Sequence, residues 1–552
     1  MSYDVAVVGA GPTAIYSVQA LLARETRPFA ITVFERQRRA GQGTPYSAHW
    51  ADPIMLANIA SIEIPPLPQR LVDWLGSQSD EQLSSWGVIR EDIDERAFYP
   101  RLALGEYLSA QFTAILQRAR SLGIAIEVRT QSCVSDVCIA GEKIKLTVID
   151  PRKRESHCHF DYVILATGHQ WPADPEIRPG YFTSPWPASA LTRIRNCAVG
   201  IRGSALSAID AAVALANHHG EFVQTRDDEI NYRPNPSTEN FSITMFSRKG
   251  LLPEADFFHP IPYEPLAICD ASAIEHLIDA GGSAGLLDAA FELFRRELGR
   301  ADGEYAAALG LEGQTLEEFC DAYFEQRAEV DPFVWARLNL DEAVQNAARQ
   351  FTVRWRYAIL RMHEVFGQLA PHLNDQEFAR FLDTLKTVFV DNYATVPHDS
   401  IRRLLALHAA GKLTVTKLGA QTRIDTWSSA GATLIDGNNR LQFPAFIEAT
   451  GQQVASARDF PFPSLRRQGV IQDVQTDDEC ETKRGIAIDG AYHPISAFES
   501  SHRLFCLSLP FLLGQNPFAQ GITSSAEMGD VVADAIDAAE ANRPMTTTEE
   551  VV

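Results

Sequence analysis

A chain of 552 residues with 45% hydrophobic and 22% charged content has a globular composition and the length for two or three domains. Its 49 basic and 71 acidic residues leave a net charge of −22. That argues against nucleic acid, whose phosphates demand basic patches, and gives no support for an anionic membrane surface.

Eight cysteines are scattered without a C-x-x-C pair, so neither a zinc ribbon nor a redox disulfide motif is expected. The first strand pattern begins near residue 3, which leaves no room for a cleavable leader. The apolar stretch 504–513 is too short to cross a bilayer and contains Pro510. The expectation is a cytoplasmic protein with reduced thiols, without membrane or nucleic-acid partners.

Val5 to Val8 is a continuous apolar run, the pattern of a strand buried on both faces of a parallel sheet. Gly9 permits the tight turn out of it, and Gly11 lets the backbone approach a pyrophosphate. The small Ala14 lets the next helix, 14–24, pack on the strand. Pro12 and Thr13 stand at the entry of that helix, whose N-terminus offers amide N–H groups and positive dipole to phosphates. A second strand, 30–34, ends at Glu35-Arg36, where an acid accepts a ribose hydroxyl. Strand, glycines, helix, strand and acid occur in order, and together they specify a dinucleotide site.

A glycine- and proline-punctuated segment follows, with Gln42, Tyr46 and Asn58 as candidate contacts to a flavin ring; the alternative is a surface loop with Asn58 as a turn residue. Apolar residues at helical spacing predict helices over 71–75 and 102–122. Strands over 124–128 and 144–149 are expected in a small sheet with a turn at Gly141. A buried run then ends in Ala166-Thr167-Gly168, where small residues permit close approach of a dinucleotide.

The second nucleotide motif is less regular. A strand over 197–202 leads into Gly203-Ser204-Ala205-Leu206-Ser207 and a helix through 216. Gly203 takes the turn position, but Ala205 stands where the close-approach glycine belongs. The strand 241–246 ends at Ser247-Arg248 with no acid. Charge beside a hydroxyl suits a 2′-phosphate, which favours NADP over NAD; the alternative is a structural βαβ unit with a basic turn. The polar stretch 218–240 between these pieces has the character of a surface insertion.

From 253 to 392 the strand signal disappears. Helices are predicted over 273–280, 285–298, 315–328, 340–349, 355–369 and 375–390, the last with Asp375 as N-cap. The α/β pattern resumes with a helix over 400–409, a strand over 413–417 and a second Ala449-Thr450-Gly451. A buried strand, 504–509, runs into a glycine-rich loop holding Asn516, Gly521, Ile522 and Thr523, before a helix over 526–541. That loop offers N–H groups to an electron-rich ring edge and is expected to close the first domain across the flavin.

Two fingerprints, two Ala-Thr-Gly strand ends and the terminal loop and helix resemble the flavoproteins with two dinucleotide-binding domains. Gly41-Gln42-Gly43 through Tyr46, the Asn58 segment, Gly203 through Asp210 and Ser247-Arg248 are similar to the bacterial FAD/NAD(P)-binding family, whose layout is that of the flavin-dependent N-hydroxylating monooxygenases. The resemblance covers about two thirds of the chain and omits the helical insertion. Ala205 and the absence of a Gly-Asp pair before the last helix depart from the pattern.

The resemblance implies an α/β fold of two Rossmann-like domains with a mainly helical insertion. Its layout would be 1–190 for FAD, 191–252 for NADP, 253–392 for the insertion as substrate subdomain, 393–440 returning to NADP and 441–552 to FAD. FAD would sit on the Gly9, Gly11 and Glu35 unit and NADPH on the Gly203 and Arg248 unit, with Thr167, Gly168 and Gly451 at the two Ala-Thr-Gly strand ends as further cofactor contacts. The implied activity is an NADPH-dependent monooxygenase that uses dioxygen on a small amine or amino acid, with Gln42 and Asn58 beside the ring. Two further readings remain open on the residues alone. One is a flavin oxidoreductase that passes electrons to a quinone or partner, and the other is a flavin-bound sensor whose NADP site has decayed.

Overall fold

The computed structural model describes residues 3–172, 174–225, 229–281, 285–419, 421–476, 482–519 and 521–543. Gln520 of the C-terminal loop lies outside the described residues, as does part of the 218–240 insertion. The chain divides into two compact units: Met1–Ser47 with Ser61–Gln170 and Gln452–Val552, and Ala48–Ala60 with Trp171–Gly451. The fold is α/β, with two Rossmann-like units and a mainly helical insertion in the second.

The first unit is built on a five-stranded sheet in the order Leu504–Cys506, Tyr162–Leu165, Asp4–Val8, Ala30–Phe34, Ala125–Arg129. Every pairing is parallel. Val5, Ala6 and Val7 are fully buried, as a central parallel strand with both faces covered requires. The helices Pro12–Ala23 and Gly521–Ala541 cross at Gly529, where a Cβ would lie 2.9 Å from the backbone of Ser17 and Tyr16. Arg24 holds the same pair together through Asp530 at 3.0 Å and Asp534 at 2.7 Å.

The second unit carries a six-stranded sheet in the order Leu413–Lys417, Ser242–Ser247, Ala198–Arg202, Ala445–Glu448, Tyr181–Phe182, Glu176–Arg178. Only the outermost pair is antiparallel. Its helical insertion runs from Ala271–Asp279 to Leu385–Tyr393.

Several expectations change. The strand expected over 124–128 is Ala125–Arg129 and joins the parallel sheet beside Ala30–Phe34 rather than the small antiparallel sheet, which consists of Cys133–Ala140, Lys143–Ile149 and Glu155–Phe160. The 218–240 segment contains an antiparallel hairpin, Gly220–Gln224 with Ile230–Pro234. The helix expected over 375–390 is two, Asp375–Asp383 and Leu385–Tyr393, broken at Thr384 with φ −114° and ψ −99°. Its N-cap is Asn374, whose side chain accepts the Glu377 N–H at 2.9 Å, and Asp375 is the first helical residue. The strand expected over 504–509 stops at Cys506, and a short helix, Leu509–Leu512, follows. The last helix begins at Gly521, five residues before the expected start.

The expected domain limits also move. The first unit ends at Gln170, not 190, and resumes at Gln452, not 441. The cause is strand pairing: Tyr181–Phe182 and Ala445–Glu448 hydrogen-bond to each other and extend the second sheet.

Candidate functional site

In the first unit, Gly9 closes the strand Asp4–Val8 with φ +102°. A Cβ there would lie 2.3 Å from the carbonyl oxygen of Ala166, so the turn tolerates glycine only. Ala166 opens the Ala-Thr-Gly sequence, and its N–H donates to Val8 O at 2.9 Å. The two motifs, Gly9 and Ala166 being 157 positions apart in the sequence, are therefore two halves of one feature. Thr167 and Ser508 share a hydroxyl–hydroxyl hydrogen bond of 2.6 Å beside it.

Gly11 is the N-cap of Pro12–Ala23, and no side chain caps this end. The first amides of that helix lack intrahelical acceptors by geometry, which leaves them to a bound anion. A Cβ on Gly11 would meet Gly43 Cα at 3.2 Å, so Gly11 also admits the Gly41–Gly43 loop. Thr13 lies within 3.1 Å of Ser525 of the last helix, hydroxyl to hydroxyl. Ala14 and Ile522 are buried, whereas Thr523 is exposed.

Glu35 stands at the end of Ala30–Phe34 and is buried. One carboxylate oxygen accepts the Ala10 N–H at 3.0 Å, the other the Gln37 N–H at 2.7 Å. The acid expected to meet a ribose thus also fixes the glycine turn, and each oxygen keeps a lone pair for a hydroxyl. Arg36 is exposed.

Gln42 is buried and its amide donates to Glu106 Oε1 at 3.0 Å. Glu106 in turn receives both Arg39 guanidinium nitrogens at 2.6 Å. Tyr46 packs its carbonyl on Gly105, where a Cβ would lie 2.1 Å away, and burial raises the Tyr46 phenol above its ordinary value while Arg101 opposes the rise. Asn58 belongs to Ala48–Ala60, which groups with the second unit. The expected trio of Gln42, Tyr46 and Asn58 is therefore not drawn from one compact unit. Asn516 caps its own turn by accepting the Phe518 N–H at 3.3 Å.

The second unit repeats the first. Gly203 has φ +128°, and a Cβ there would lie 2.4 Å from the carbonyl oxygen of Ala449. Ala449 begins the second Ala-Thr-Gly, which ends in Gly451 at φ +86°. Ala205 caps the helix Leu206–His219 with φ −95° and ψ −162°, against −87° and −168° at Gly11. That is extended backbone open to any residue, so Ala205 preserves the turn. The Ser204 hydroxyl donates to Leu251 O at 2.6 Å, while Ser207 lies in the first turn of the helix. Ser247 and Arg248 stand at the tip of Ser242–Ser247, with Arg248 exposed and 3.7 Å from Asp383.

Glu106, Ser508 and Ser525 gave no signal in the sequence, because each meets its partner across a long chain separation. No helix of the described residues is long and apolar enough to cross a membrane.

Residues 6–170 match the family model described as FAD-NAD(P)-binding, and residues 270–393 match that of the YdhS-like middle domain. The uncharacterized protein YdhS of Escherichia coli is 39% identical over 540 residues, which span 96% of this chain and 97% of that protein. Among solved structures, the FAD-bound cadaverine monooxygenase DfoA of Erwinia amylovora matches with a TM-score of 0.50 at 12% identity, over 97% of this chain and 94% of that one. The Kutzneria ornithine N-hydroxylase KtzI matches with a TM-score of 0.48 at 13% identity, over 98% and 100%. At such identities a structural likeness concerns the fold alone.

Proposed function

Because the chain belongs to the family of the Escherichia coli protein YdhS, with an FAD-NAD(P)-binding domain over residues 6–170, we propose that it is an NADPH-dependent FAD monooxygenase that hydroxylates the nitrogen of a small amine or amino acid. The observation that carries this reading is the duplicated cradle: Gly9 against Ala166 and Gly203 against Ala449, each opening onto a helix whose N-cap residue makes no side-chain hydrogen bond. Two nucleotide cradles in one chain suit a flavin and the nicotinamide that reduces it. The fold shared with DfoA, a cadaverine monooxygenase bound to FAD, supports the choice of reaction class.

The site residues follow from this assignment. The first amides of Pro12–Ala23 would meet the FAD pyrophosphate, with Glu35 accepting from the ribose and Gln42 and Tyr46 on the ring side. The Leu206–His219 helix and Arg248 would hold NADPH. Bound FAD supplies the redox and oxygen-activating chemistry, and the protein orients the reactants and excludes water. Asn516 and Gly521, the latter opening the last helix, complete the proposed flavin contacts of the first unit.

The test is NADPH consumption by FAD-loaded protein across small amines and amino acids, with peroxide measured in parallel. The expected result is one compound that raises NADPH oxidation, suppresses peroxide and yields a hydroxylated product. Turnover with an added quinone, with no compound improving coupling, would replace the monooxygenase with an electron-transferring flavin reductase.

A further inference from the structure

The tip of the strand Ser242–Ser247 is fastened to the helical insertion. Lys249 Nζ lies 3.0 Å from the centroid of the Phe324 ring and donates to Thr387 Oγ1 at 3.3 Å. Phe324 belongs to the helix Leu316–Ala328, and Thr387 to the first turn of Leu385–Tyr393. Arg248, one residue earlier, reaches Asp383 at 3.7 Å, just before the same turn. Neighbouring residues of the strand tip thus grip the insertion on both sides of Lys386.

Lys386 is partly buried, and no hydrogen bond or ion pair engages it among the described residues. Burial lowers its proton affinity, and the charge of Arg248 lowers it further. Lys386 thus lies between Asp383, the well-exposed carboxylate that Arg248 meets, and Thr387, which Lys249 meets, so the cations of the strand tip flank it on both sides. A lysine in the first turn also faces the positive end of the helix dipole. Such an arrangement is relieved by an anion placed between the cations. Ser247 adds a donor: its hydroxyl oxygen accepts the Gly250 N–H at 3.0 Å, which leaves its own hydrogen to give away.

We propose that Lys386, carried by the helical insertion, is the second cation of a phosphomonoester subsite begun by Ser247 and Arg248, so that the insertion sets the preference of the second unit for a 2′-phosphorylated dinucleotide. The inference rests on the assignment of NADPH to that unit. A phosphomonoester carries a charge of about −1.5 to −2 at neutral pH, more than one arginine balances. Arg248 supplies the planar fork and Lys386 a point charge, and Asp383 is the partner that Arg248 leaves.

The test is calorimetric titration of the full-length protein with adenosine 2′,5′-bisphosphate and with adenosine 5′-monophosphate, which differ only in the 2′-phosphate. Wild-type protein is expected to bind the bisphosphate more tightly. Lys386→Ala should weaken the bisphosphate about tenfold or more and leave the monophosphate unchanged, a tenfold change being the scale of one lost charge-assisted contact. Lys386→Arg should keep the preference, and Asp383→Asn should increase it. Equal weakening of both ligands by Lys386→Ala, or no weakening of the bisphosphate, overturns the role of Lys386. A wild-type protein that binds both ligands equally overturns the subsite while the dinucleotide assignment stands. Binding of neither overturns the assignment and the subsite with it.

Discussion

Gly203 occupies a position where any Cβ would stand 2.4 Å from the carbonyl oxygen of Ala449. The same relation holds at 2.3 Å between Gly9 and Ala166. In each unit the end of one strand fits into the turn that leaves its neighbour, so the turn residue must lack a side chain. Gly203→Ala adds both a clash and a methyl group at φ +128°. Its expected effect is a loss of about 2 kcal/mol or more in the unfolding of the second unit, with loss of dinucleotide binding. Ala205→Gly, at extended φ, should change dinucleotide affinity less than about threefold, since it only loosens the unfolded chain. Denaturant titration with calorimetry checks both.

Glu35→Gln tests the double duty of the buried acid. A glutamine offers one accepting oxygen in place of two, so either the Ala10 or the Gln37 N–H loses its partner. A charge-assisted hydrogen bond of this kind contributes about 1.5–3 kcal/mol. The expected outcome is weaker retention of FAD, read as flavin lost on gel filtration, together with a lower thermal midpoint.

Glu254 anchors a buried charge network where the second sheet meets the insertion. It lies 2.5 Å from Arg356 and 3.3 Å from Arg327, and Arg327 also pairs with Asp391 at 2.5 Å. Trp335 and Asn339 donate to the same carboxylate at 2.9 and 3.1 Å. Glu254→Ala leaves Arg356 without a carboxylate in a buried setting. Equilibrium unfolding should show a loss of about 3–5 kcal/mol, far beyond what an exposed ion pair such as Arg70–Asp73 contributes.

His363 gives the fold an acid limit. Burial pushes its imidazole down to about 4, against which its hydrogen bond to the Leu360 carbonyl acts weakly. The unfolded chain binds this proton near pH 6.5 and the folded chain only near 4, so stability falls as pH drops through that window. The expected observation is a decline in unfolding free energy between pH 6.5 and 4 that His363→Phe reduces. An unchanged slope in the variant would exclude His363 as its source.

The first nucleotide unit was legible in the sequence because its determinants are local. Gly9, Gly11, Ala14 and Glu35 lie in one stretch whose order follows from the βαβ path, and backbone geometry alone demands them. Pairing across the chain was not legible. Strand 124–128 carried a clear strand pattern, but nothing in it distinguished the parallel sheet from the small antiparallel one, since alternation fixes a strand and not its neighbour. The break at Thr384 was hidden for a similar reason: the apolar spacing continues across it, and only packing divides the helix.

By itself, then, the sequence determined the two glycine turns, their helices and the basic tip at Ser247-Arg248, because each depends on residues a few positions apart. Tertiary structure alone decided that Ala166 and Ala449 close the two cradles, and that Arg248 and Lys249 meet the insertion at Asp383 and Thr387, on either side of Lys386. Those relations join residues more than a hundred positions apart, and their energy exists only once the intervening chain has packed.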